Sequence, residues 1–432
     1  MKRIKYIIPL LILLISASVQ AQQDLTLSDA ITRALENNYD LQITRKSEQI
    51  AAINNHWGNT GLLPSVNFNL NGRETFNLNE NENYRSQTVS PDVSLNWVFF
   101  NGYSAKITKQ KFEEMEQQSQ GNTVILVETT IQNIIVAYNA CLLQKQMVDV
   151  YKELAVLSED RYRRTEDSKN IGASTSYEML QAKTSWLEDE SNYLQQKVNF
   201  ENSIRNLNYN MAVEDDAQWN LVSPLEVNMP DYQLEDLSAK LMSNNQTLKN
   251  QYLNQSLLAK ETALAKSNFY PTLSLNTGVG SSWLDNYYSK STPNYSQKSA
   301  DAYIGLSLSF NIFNGGITRR SIQIAQINEE SAQVQTNQMT HSLNNQLLQM
   351  YSNFNVQKAL LELANETEST AKLNLDLSAD KLKSGVINSF NYRDVQIIYM
   401  NAAIARFQAI YILISSNTDL LRITGGIISE YE

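Results

Sequence analysis

Turn-forming and metal-binding residues are scarce in this chain of 432 residues. It has 14 glycines and 7 prolines, so turns must be few and the elements between them long. Cys141 is the only cysteine, which excludes an intrachain disulfide and a cysteine metal cluster. His56 and His341 lack the local spacing of metal ligands, and no glycine-rich phosphate loop or Gly-x-Ser-x-Gly elbow occurs. We therefore expect no enzymatic activity and no cofactor.

The chain is acidic, with a formal net charge of −10, and this charge disfavours nucleic acid as a partner. Residues 1–21 have the pattern of a signal peptide. Lys2, Arg3 and Lys5 form its charged start. The apolar core that follows over Tyr6–Ile15 is too short to serve as a membrane anchor instead. We expect the chain to be exported after this segment is removed.

Long apolar runs are missing after the signal peptide, where no stretch approaches eighteen apolar residues. Transmembrane helices are therefore not expected, and any crossing of a membrane has to be made by β-strands. Two regions alternate apolar and polar residues in the way that is typical of strands. They predict β-hairpins over residues 64–100 and 271–313, with polar loops at Asn77–Arg85 and Tyr287–Ser299. The last of these strands is predicted over Ala302–Ile312.

The same strand-to-helix junction occurs twice in the chain. Phe100-Asn101-Gly102 closes the first hairpin, and Phe313-Asn314-Gly315 closes the second, 213 residues later (314 − 101). Pro64 and Pro271 open the two hairpins at an offset of 207 residues (271 − 64). The second hairpin loop is longer, which accounts for the change in offset. An ordered set of matching segments indicates an internal duplication.

Helical patterns fill the remainder of each copy. Gly172 and Gly385 interrupt them at matching points, again 213 residues apart (385 − 172), and are predicted helix tips. The chain accordingly divides into a first structural repeat at 22–212, a linker or equatorial segment at 213–232 and a second repeat at 233–432. The predicted helices are Leu27–Asn59, Gly102–Lys169, Ser176–Met211, Leu234–Phe269, Ile317–Lys383 and Ser389–Ile423.

Four strands with one apolar side cannot form an open sheet in lipid, because the backbone groups at its edges would lack hydrogen-bond partners. Two chains would supply eight strands and three chains twelve, and only the larger number leaves a lumen. A soluble sheet packed on a core shows the same alternation and is the alternative. Aromatic residues near the strand ends are candidates for the membrane interface: Trp97, Phe99, Phe100, Tyr303, Phe310 and Phe313.

The two junctions resemble those of the TolC-type outer-membrane efflux family, and the resemblance covers nearly all of the chain after the signal peptide. Leu62-Leu63-Pro64, Phe269-Tyr270-Pro271 and the two tip glycines also carry it. The resemblance implies an α + membrane β fold with long antiparallel helical hairpins and two β-hairpins per chain. It further implies a homotrimer in which a twelve-stranded β-barrel stands on a tunnel of twelve helices.

The role implied by the resemblance is that of a passive exit duct in a tripartite efflux or type I secretion system. Its location would be the outer membrane of a Gram-negative bacterium, among outer-membrane lipid, with helices extending into the periplasm. Its partners would be a periplasmic adaptor protein and an inner-membrane pump. The alternative is a periplasmic coiled-coil structural or adaptor protein, which leaves the amphipathic strands unexplained. The substrate stays open between drug, metal and protein, because the pump largely selects it.

The resemblance also implies a periplasmic gate at the helix tips. Counted from Gly385, the two acidic positions of the family fall on Asn391 and Asp394, and the equivalent acidic position after the first tip is Glu178. Threefold symmetry would turn Asp394 into a ring of carboxylates that attracts cations. The alternative is an ordinary acidic residue near a helix start, where the helix dipole favours it.

The latch that closes the gate in this family departs from the pattern here. Its tyrosine and arginine positions fall on Leu382 and Ile387, neither of which can form the corresponding hydrogen bonds. A closed state of this chain must therefore use other contacts. Tyr392 and Arg393 are the candidates.

Overall fold

A computed structural model of the chain describes residues 23–78, 83–227, 229–289 and 292–431. The predicted signal peptide lies outside these residues, as do the centres of the two predicted hairpin loops. The described part consists mainly of long helices and two β-hairpins, in the order that the duplication predicts.

Each repeat runs through the same series of a divided helix, two strands, a long helix and a returning helix. The chain begins with β1 (Gln23–Leu25), α1 (Leu27–Asn37), α2 (Tyr39–Asn54), β2 (Ser65–Asn77), β3 (Tyr84–Asn101), α3 (Ser104–Asn170) and α4 (Ser176–Met211). It continues with β4 (Trp219–Leu221), α5 (Leu234–Asn244), α6 (Gln246–Ser267), β5 (Thr272–Tyr288), β6 (Tyr295–Ser309), α7 (Ile317–Lys383), α8 (Ser389–Ile423) and α9 (Ile427–Tyr431).

The first helix of each repeat is divided in two at an asparagine, so the predicted continuous helices at these places are wrong. Asn38 and Asn245 occupy matching positions and have extended backbones, with ψ of 125° and 115°. The Asn38 side chain accepts a hydrogen bond from an amide in the first turn of α2 at 3.1 Å. Asn245 is buried and donates to the carbonyl of Ile423 at 2.9 Å. An asparagine side chain can form hydrogen bonds with the backbone groups that a helix break leaves without partners. The periodicity of apolar residues does not reveal such a break.

The four long strands form one antiparallel sheet in the order β2-β3-β5-β6, so the two hairpins lie side by side. The strands extend further into the loops than predicted, since β2 and β3 pair as far as Asn77 and Tyr84. In the second hairpin, β5 likewise continues to Tyr288. The predicted loops are therefore too long, because polar residues of these strands pair as readily as apolar ones.

The strand predicted over Ala302–Ile312 ends earlier than expected, at Ser309. Ser309 pairs with Thr272, the first residue of β5. The residue before it is Pro271, which has no amide hydrogen for a further ladder bond. Pro64 stands directly before β2 in the same way. The prolines therefore mark where the hairpins end.

The two sides of the sheet differ in polarity. Residues directly opposite each other on neighbouring strands project from the same side. One apolar row across all four strands is Phe68, Val93, Val279 and Ala302, and the adjacent row on the other side is Asn69, Asp92, Gly280 and Asp301. A β-bulge between Val98 and Phe100 interrupts this alternation near the end of β3, leaving Phe99 as the extra residue.

The contacts of the chain divide it into two compact units, and each unit has residues from both repeats. The first unit holds the chain up to Ile43, Val124–Asn245 and the chain from Ser342 onward. The second holds Thr44–Thr123 and Gln246–His341. The repeat boundaries describe the duplication rather than these units, and they stay a prediction.

The first unit has its core around the middle of α3. Tyr138 is fully buried, and its hydroxyl donates to the carbonyl of Leu25 in β1 at 2.8 Å. Cys141 lies in the same core, and burial raises the pKa of its thiol to about 11. Trp219 and Leu221 of β4, which pairs with β1 in parallel, also belong to this core. The predicted linker is therefore part of the packed structure.

Two helices, α3 and α8, each contain an eighteen-residue stretch apolar enough to cross a membrane by length and composition. Their mean hydropathies are 1.3 and 1.6, so the expectation that no stretch approaches this property is wrong. Half of the stretch in α3 is buried inside the chain. Helices that pack around a core have the same composition, and this property alone does not make them membrane spans.

Candidate functional site

The two helix tips have the same backbone geometry. Gly172 has a φ of +76° and Gly385 a φ of +74°, a region that favours glycine. After each glycine the next amide bonds back to the carbonyl five residues earlier, at 2.8 Å in the first tip and 2.9 Å in the second. This is the bond pattern of a Schellman motif. The predicted helix tips are thus placed where the two helical hairpins turn.

Side chains next to the tips start the two returning helices. Thr175 caps α4 in a capping box with Glu178, whose carboxylate accepts a hydrogen bond from the Thr175 amide at 2.8 Å. This bond and those from the hydroxyls of Ser174 and Thr175 hold the pKa of Glu178 below its ordinary value. Asn388 caps α8 and accepts from the amide of Asn391 at 2.9 Å. Glu178 therefore has a capping role in the folded chain.

The acidic candidate Asp394 is exposed in the early part of α8, as is Asn391. Among the described residues, Asp394 has no cationic partner within ion-pair distance. Its carboxylate is therefore accessible to ions or to another chain. The helix dipole favours a negative charge at this end of α8.

Arg393 reaches into a buried polar cluster. Its Nη2 lies 2.6 Å from Oδ1 of Asp189 on α4, and its Nη1 lies 3.2 Å from Oγ of Ser158 on α3. Ser158 donates to the other carboxylate oxygen of Asp189. Asp189 is only 2% exposed, so water screens this ion pair weakly. The cluster ties α8 of the second repeat to both long helices of the first.

Sequence reasoning named Arg393 but missed Asp189 and Ser158. Neither residue belongs to a local motif, since Asp189 follows Gly172 by 17 residues (189 − 172) and is far from Arg393 in the chain. The heptad pattern of α4 is the feature of the sequence that could have indicated Asp189. Ala182, Asp189 and Gln196 are buried on α4 at intervals of seven residues, and a polar residue in such a seam needs a polar partner.

A cavity of about 490 Å³, which we call the tip cavity, is lined by residues of α3, α4, α7 and α8 near the two tips. Tyr392 lies in its wall, together with Leu382. Arg161 of α3 lines the same cavity, and burial is the main cause that lowers the pKa of its guanidinium. The tips thus combine a buried ion pair, an exposed carboxylate and a charged cavity.

Three of the aromatic interface candidates lie near the end of β3, and two of them contact each other. The rings of Trp97 and Phe99 are 4.5 Å apart between centroids. Phe100 makes an edge contact with Tyr103 at 5.2 Å. The Trp97 indole also donates to the carbonyl of Leu62 at 3.0 Å, and the residue is partly exposed.

The other three aromatic candidates have different surroundings. Tyr303 projects from the polar side of the sheet, where its ring covers Gly278 of β5. A Cβ atom at Gly278 would lie 2.9 Å from that ring. Phe310 and Phe313 follow the end of β6 and are exposed. An interface role for these six residues stays a prediction.

The two strand-to-helix junctions share their backbone but not their surroundings. Gly102 and Gly315 have φ of +65° and +66°. Asn101 and Asn314 each form a side-chain hydrogen bond to the residue four positions later. A Cβ atom at Gly102 would lie 2.3 Å from the carbonyl oxygen of Ser267, whereas Gly315 has open space around it. The two junction glycines therefore share a backbone conformation and differ in packing.

The described part of the chain has few histidine and cysteine side chains that could bind a metal. Within it, no group of three or more histidine, cysteine, aspartate or glutamate side chains is arranged to hold a metal ion. The tips instead offer charged groups, hydrogen-bonding groups and a cavity.

Comparison with known proteins agrees with this architecture. The sequence profile of the family described as outer membrane efflux protein matches residues 30–209 and 237–426. The fold is similar to the outer membrane channel CmeC of Campylobacter jejuni, with a TM-score of 0.75 and 17% identity over 93% of this chain and 85% of that one. It is also similar to the outer membrane protein VceC of Vibrio cholerae, with a TM-score of 0.74 and 13% identity over 93% and 96% of the two chains.

A third similar structure is the open state of the outer membrane channel MtrE of Neisseria gonorrhoeae, with a TM-score of 0.74 and 15% identity over 93% of this chain and 89% of that one. A search of curated proteins finds no match. The profile covers most of both repeats, and it confirms the family, the role as an efflux channel and the outer membrane as its place. The alternative of a periplasmic structural or adaptor protein is not favoured. By its sequence and its fold, the chain belongs to the outer membrane efflux protein family.

Proposed function

We propose that three copies of the chain assemble into a closed exit channel, in which twelve strands form a barrel and twelve long helices form a tunnel. The observation that carries this proposal is the four-stranded sheet. Its apolar side is exposed, and neither of its edges pairs with another strand among the described residues. Such a sheet is stable in lipid only when its edges are paired.

The two edge strands β2 and β6 have the side chains that a barrel wall requires. Pairing of β6 in one copy with β2 in the next would satisfy the edge backbone groups and leave the apolar side to lipid. The side chains that would face lipid are 64–79% exposed in the single chain: Val66, Phe68, Leu70, Ile304, Leu306 and Leu308.

Exposed apolar stripes on the helices support assembly in the same way. Ile43 and Ile50 lie seven residues apart on α2, and both are exposed. On α7, Ile317 and Ile324 are seven residues apart and exposed, and Ile327 and Val334 repeat the spacing. Heptad spacing of this kind is typical of helices that pack on other helices. We infer that neighbouring copies cover these stripes.

The experiment that tests the assembly uses the mature chain in outer-membrane extracts. Gel mobility without heating is expected to show a trimer that converts to a monomer on boiling, and the protein should fractionate with the outer membrane. Purified trimer should conduct ions in planar bilayers. A monomer that is released from membranes by salt would contradict the proposal.

We infer that the Arg393–Asp189–Ser158 cluster holds the tips in a closed arrangement. It joins α8 to α3 and α4 where the family latch positions are apolar. A buried ion pair between elements of the two repeats would be lost when their tips separate. Loss of this contact is therefore expected to raise the open probability of the channel, and single-channel recordings of Asp189→Asn would measure it.

A periplasmic adaptor and an inner-membrane pump complete the proposed system. Ile171 and Val386 support a docking partner at the tips, because each stands beside a tip glycine and both are largely exposed. Replacing both with serine should reduce efflux by cells while the trimer stays intact on an unheated gel. Unchanged efflux would argue against docking at this place. An exposed control is Val156→Ser on α3.

A further inference from the structure

Two guanidinium groups and one carboxylate meet near the buried cluster. Arg393 is paired with Asp189, whose second oxygen accepts from Ser158. Arg161 lies one turn after Ser158 on α3 and is close enough for both charges to affect its pKa. Within the described chain it has no carboxylate at ion-pair distance. The cluster thus carries one positive charge without a counter-charge in contact.

This charge is unusual for its surroundings. The Nε of Arg161 is buried and has no hydrogen-bond partner among the described residues. Burial lowers the pKa of Arg161 first and repulsion by Arg393 second, while Asp189 acts in the opposite direction. Its neighbours Arg163 and Arg164 each pair with a carboxylate one turn earlier. A partly buried charge without a counter-charge is costly, and a bound anion would reduce that cost.

Arg161 faces the tip cavity, and a second buried polar group lines the same wall. Gln396 is 2% exposed, and its Oε1 has no partner among the described residues. The unpartnered atom is an acceptor, so the amide has to be turned over before its two N–H donors can face an anion. The charged residues of the wall are three cations and two carboxylates: Arg161, Arg164, Lys383, Asp160 and Glu178.

The two wall carboxylates already have partners. Asp160 pairs with Arg164 at 2.7 Å, and Glu178 is held in the capping box of α4. Lys383 lies 3.3 Å from Asp380. Arg161 is therefore the cation of this wall that has no carboxylate at ion-pair distance among the described residues.

From this geometry we propose that the tip cavity binds one carboxylate group, held by the two Nη groups of Arg161 with the Gln396 amide as a second donor. The two oxygens of a carboxylate match the two parallel donors of a guanidinium edge. The bound group would balance two guanidinium groups with two carboxylates. It would strengthen the contact of α8 with α3.

The carboxylate can come from a dissolved organic acid or from an aspartate or glutamate side chain of a protein at the tips. The cavity volume of about 490 Å³ admits either. The inference goes beyond the channel proposal and does not depend on it, because binding is measured without transport.

The test titrates the purified full chain with sodium acetate in place of sodium chloride, at constant ionic strength and pH. Tryptophan fluorescence reports binding, because Trp186 stacks on Tyr162, the residue after Arg161, at 5.6 Å between ring centroids. We expect a saturable change in the wild type. Arg161→Gln should weaken acetate binding about tenfold or more, since hydrogen bonds to a charged group are lost. The control Arg164→Gln should retain it.

A second arm distinguishes the two sources. It compares a short helical peptide with one glutamate to the same peptide with glutamine in its place. Binding of the glutamate peptide at lower concentration than acetate, and its loss in Arg161→Gln, would assign the carboxylate to a protein partner. Binding of acetate alone would assign a dissolved acid. Absence of saturable binding by both probes, or equal binding in wild type and Arg161→Gln, would overturn the proposal.

Discussion

At the scale of single residues, the ion pair of Arg393 with Asp189 decides how the tips respond to substitution. Asp189→Ala would leave Arg393 as a largely buried cation without its partner, and we expect a loss of about 3–5 kcal/mol in the free energy of unfolding. The double substitution of Asp189→Leu with Arg393→Met should recover most of this loss, since it leaves no buried charge in the pair. Denaturant unfolding of the purified protein measures both. A double variant as unstable as the single one would show that the pair is not coupled.

Asp394 permits a prediction that separates a carboxylate ring from an ordinary residue near a helix start. In a narrow passage with threefold symmetry, Asp394→Ala would remove three negative charges and reduce the preference for cations. The reversal potential in a salt gradient across a bilayer should move toward zero. Glu366→Ala is the control, because Glu366 is exposed on α7 and lies about five turns before Gly385. An unchanged reversal potential in Asp394→Ala would reject the ring.

Residue roles at the tips were only partly predictable. Arg393 could be named because apolar residues occupy the family latch positions, and Arg393 is a cationic residue that follows them closely in the sequence. Asp189 could not, because its partner is 204 residues away in the chain (393 − 189). Glu178 was named for its position and charge, but its hydrogen bonds place it in a capping box. A sequence shows which charges exist and does not show which of them meet.

At the scale of elements, the duplication supplies a matched pair of glycines for a test. Gly102→Ala and Gly315→Ala share the cost of a left-handed backbone, about 1–2 kcal/mol. At Gly102 the added Cβ atom would also collide with the carbonyl oxygen of Ser267, whereas Gly315 faces open space. We expect Gly102→Ala to be clearly more destabilising in unfolding experiments. Equal losses would mean that the junction relaxes around the added methyl group.

Element type followed from periodicity, whereas element ends did not. The long helices α3, α4, α7 and α8 match the predictions within a few residues, because their apolar spacing is sustained over many turns. The breaks at Asn38 and Asn245 and the bulge at Phe99 depend on hydrogen bonds made after folding. Polar residues at the strand ends were predicted as loop, because the alternation of apolar and polar residues stops there. The backbone hydrogen bonds between the strands continue beyond that point.

At the scale of the whole molecule, assembly can be tested separately from folding. Ile324 is exposed on α7 of the single chain, as is Gln326 two residues later. Ile324→Glu should destabilise the trimer on unheated gels, because a charge would enter the proposed interface, while the helical content of the chain stays unchanged. Gln326→Glu is the control and should leave the trimer intact. A stable trimer in Ile324→Glu would place the interface elsewhere.

The family and the side-by-side hairpins could be predicted from the sequence because two copies of one plan reinforce each other. Each junction is only three residues long, but their order and spacing recur across the chain. The tip cavity and the buried cluster could not be predicted in this way. They depend on residues that differ between the two repeats. A comparison of the two copies detects only the residues that they share.

The two tips turn alike but are not chemically alike. Glycines with φ of +76° and +74° give them one shape, yet the exposed apolar side chain is Ile171, before the glycine, in the first tip and Val386, after the glycine, in the second. Three chains would therefore offer six turns of equal outline that alternate in character around a ring. Six identical adaptor molecules docking on that ring would sort into two classes of three. They would differ in affinity and in order of arrival.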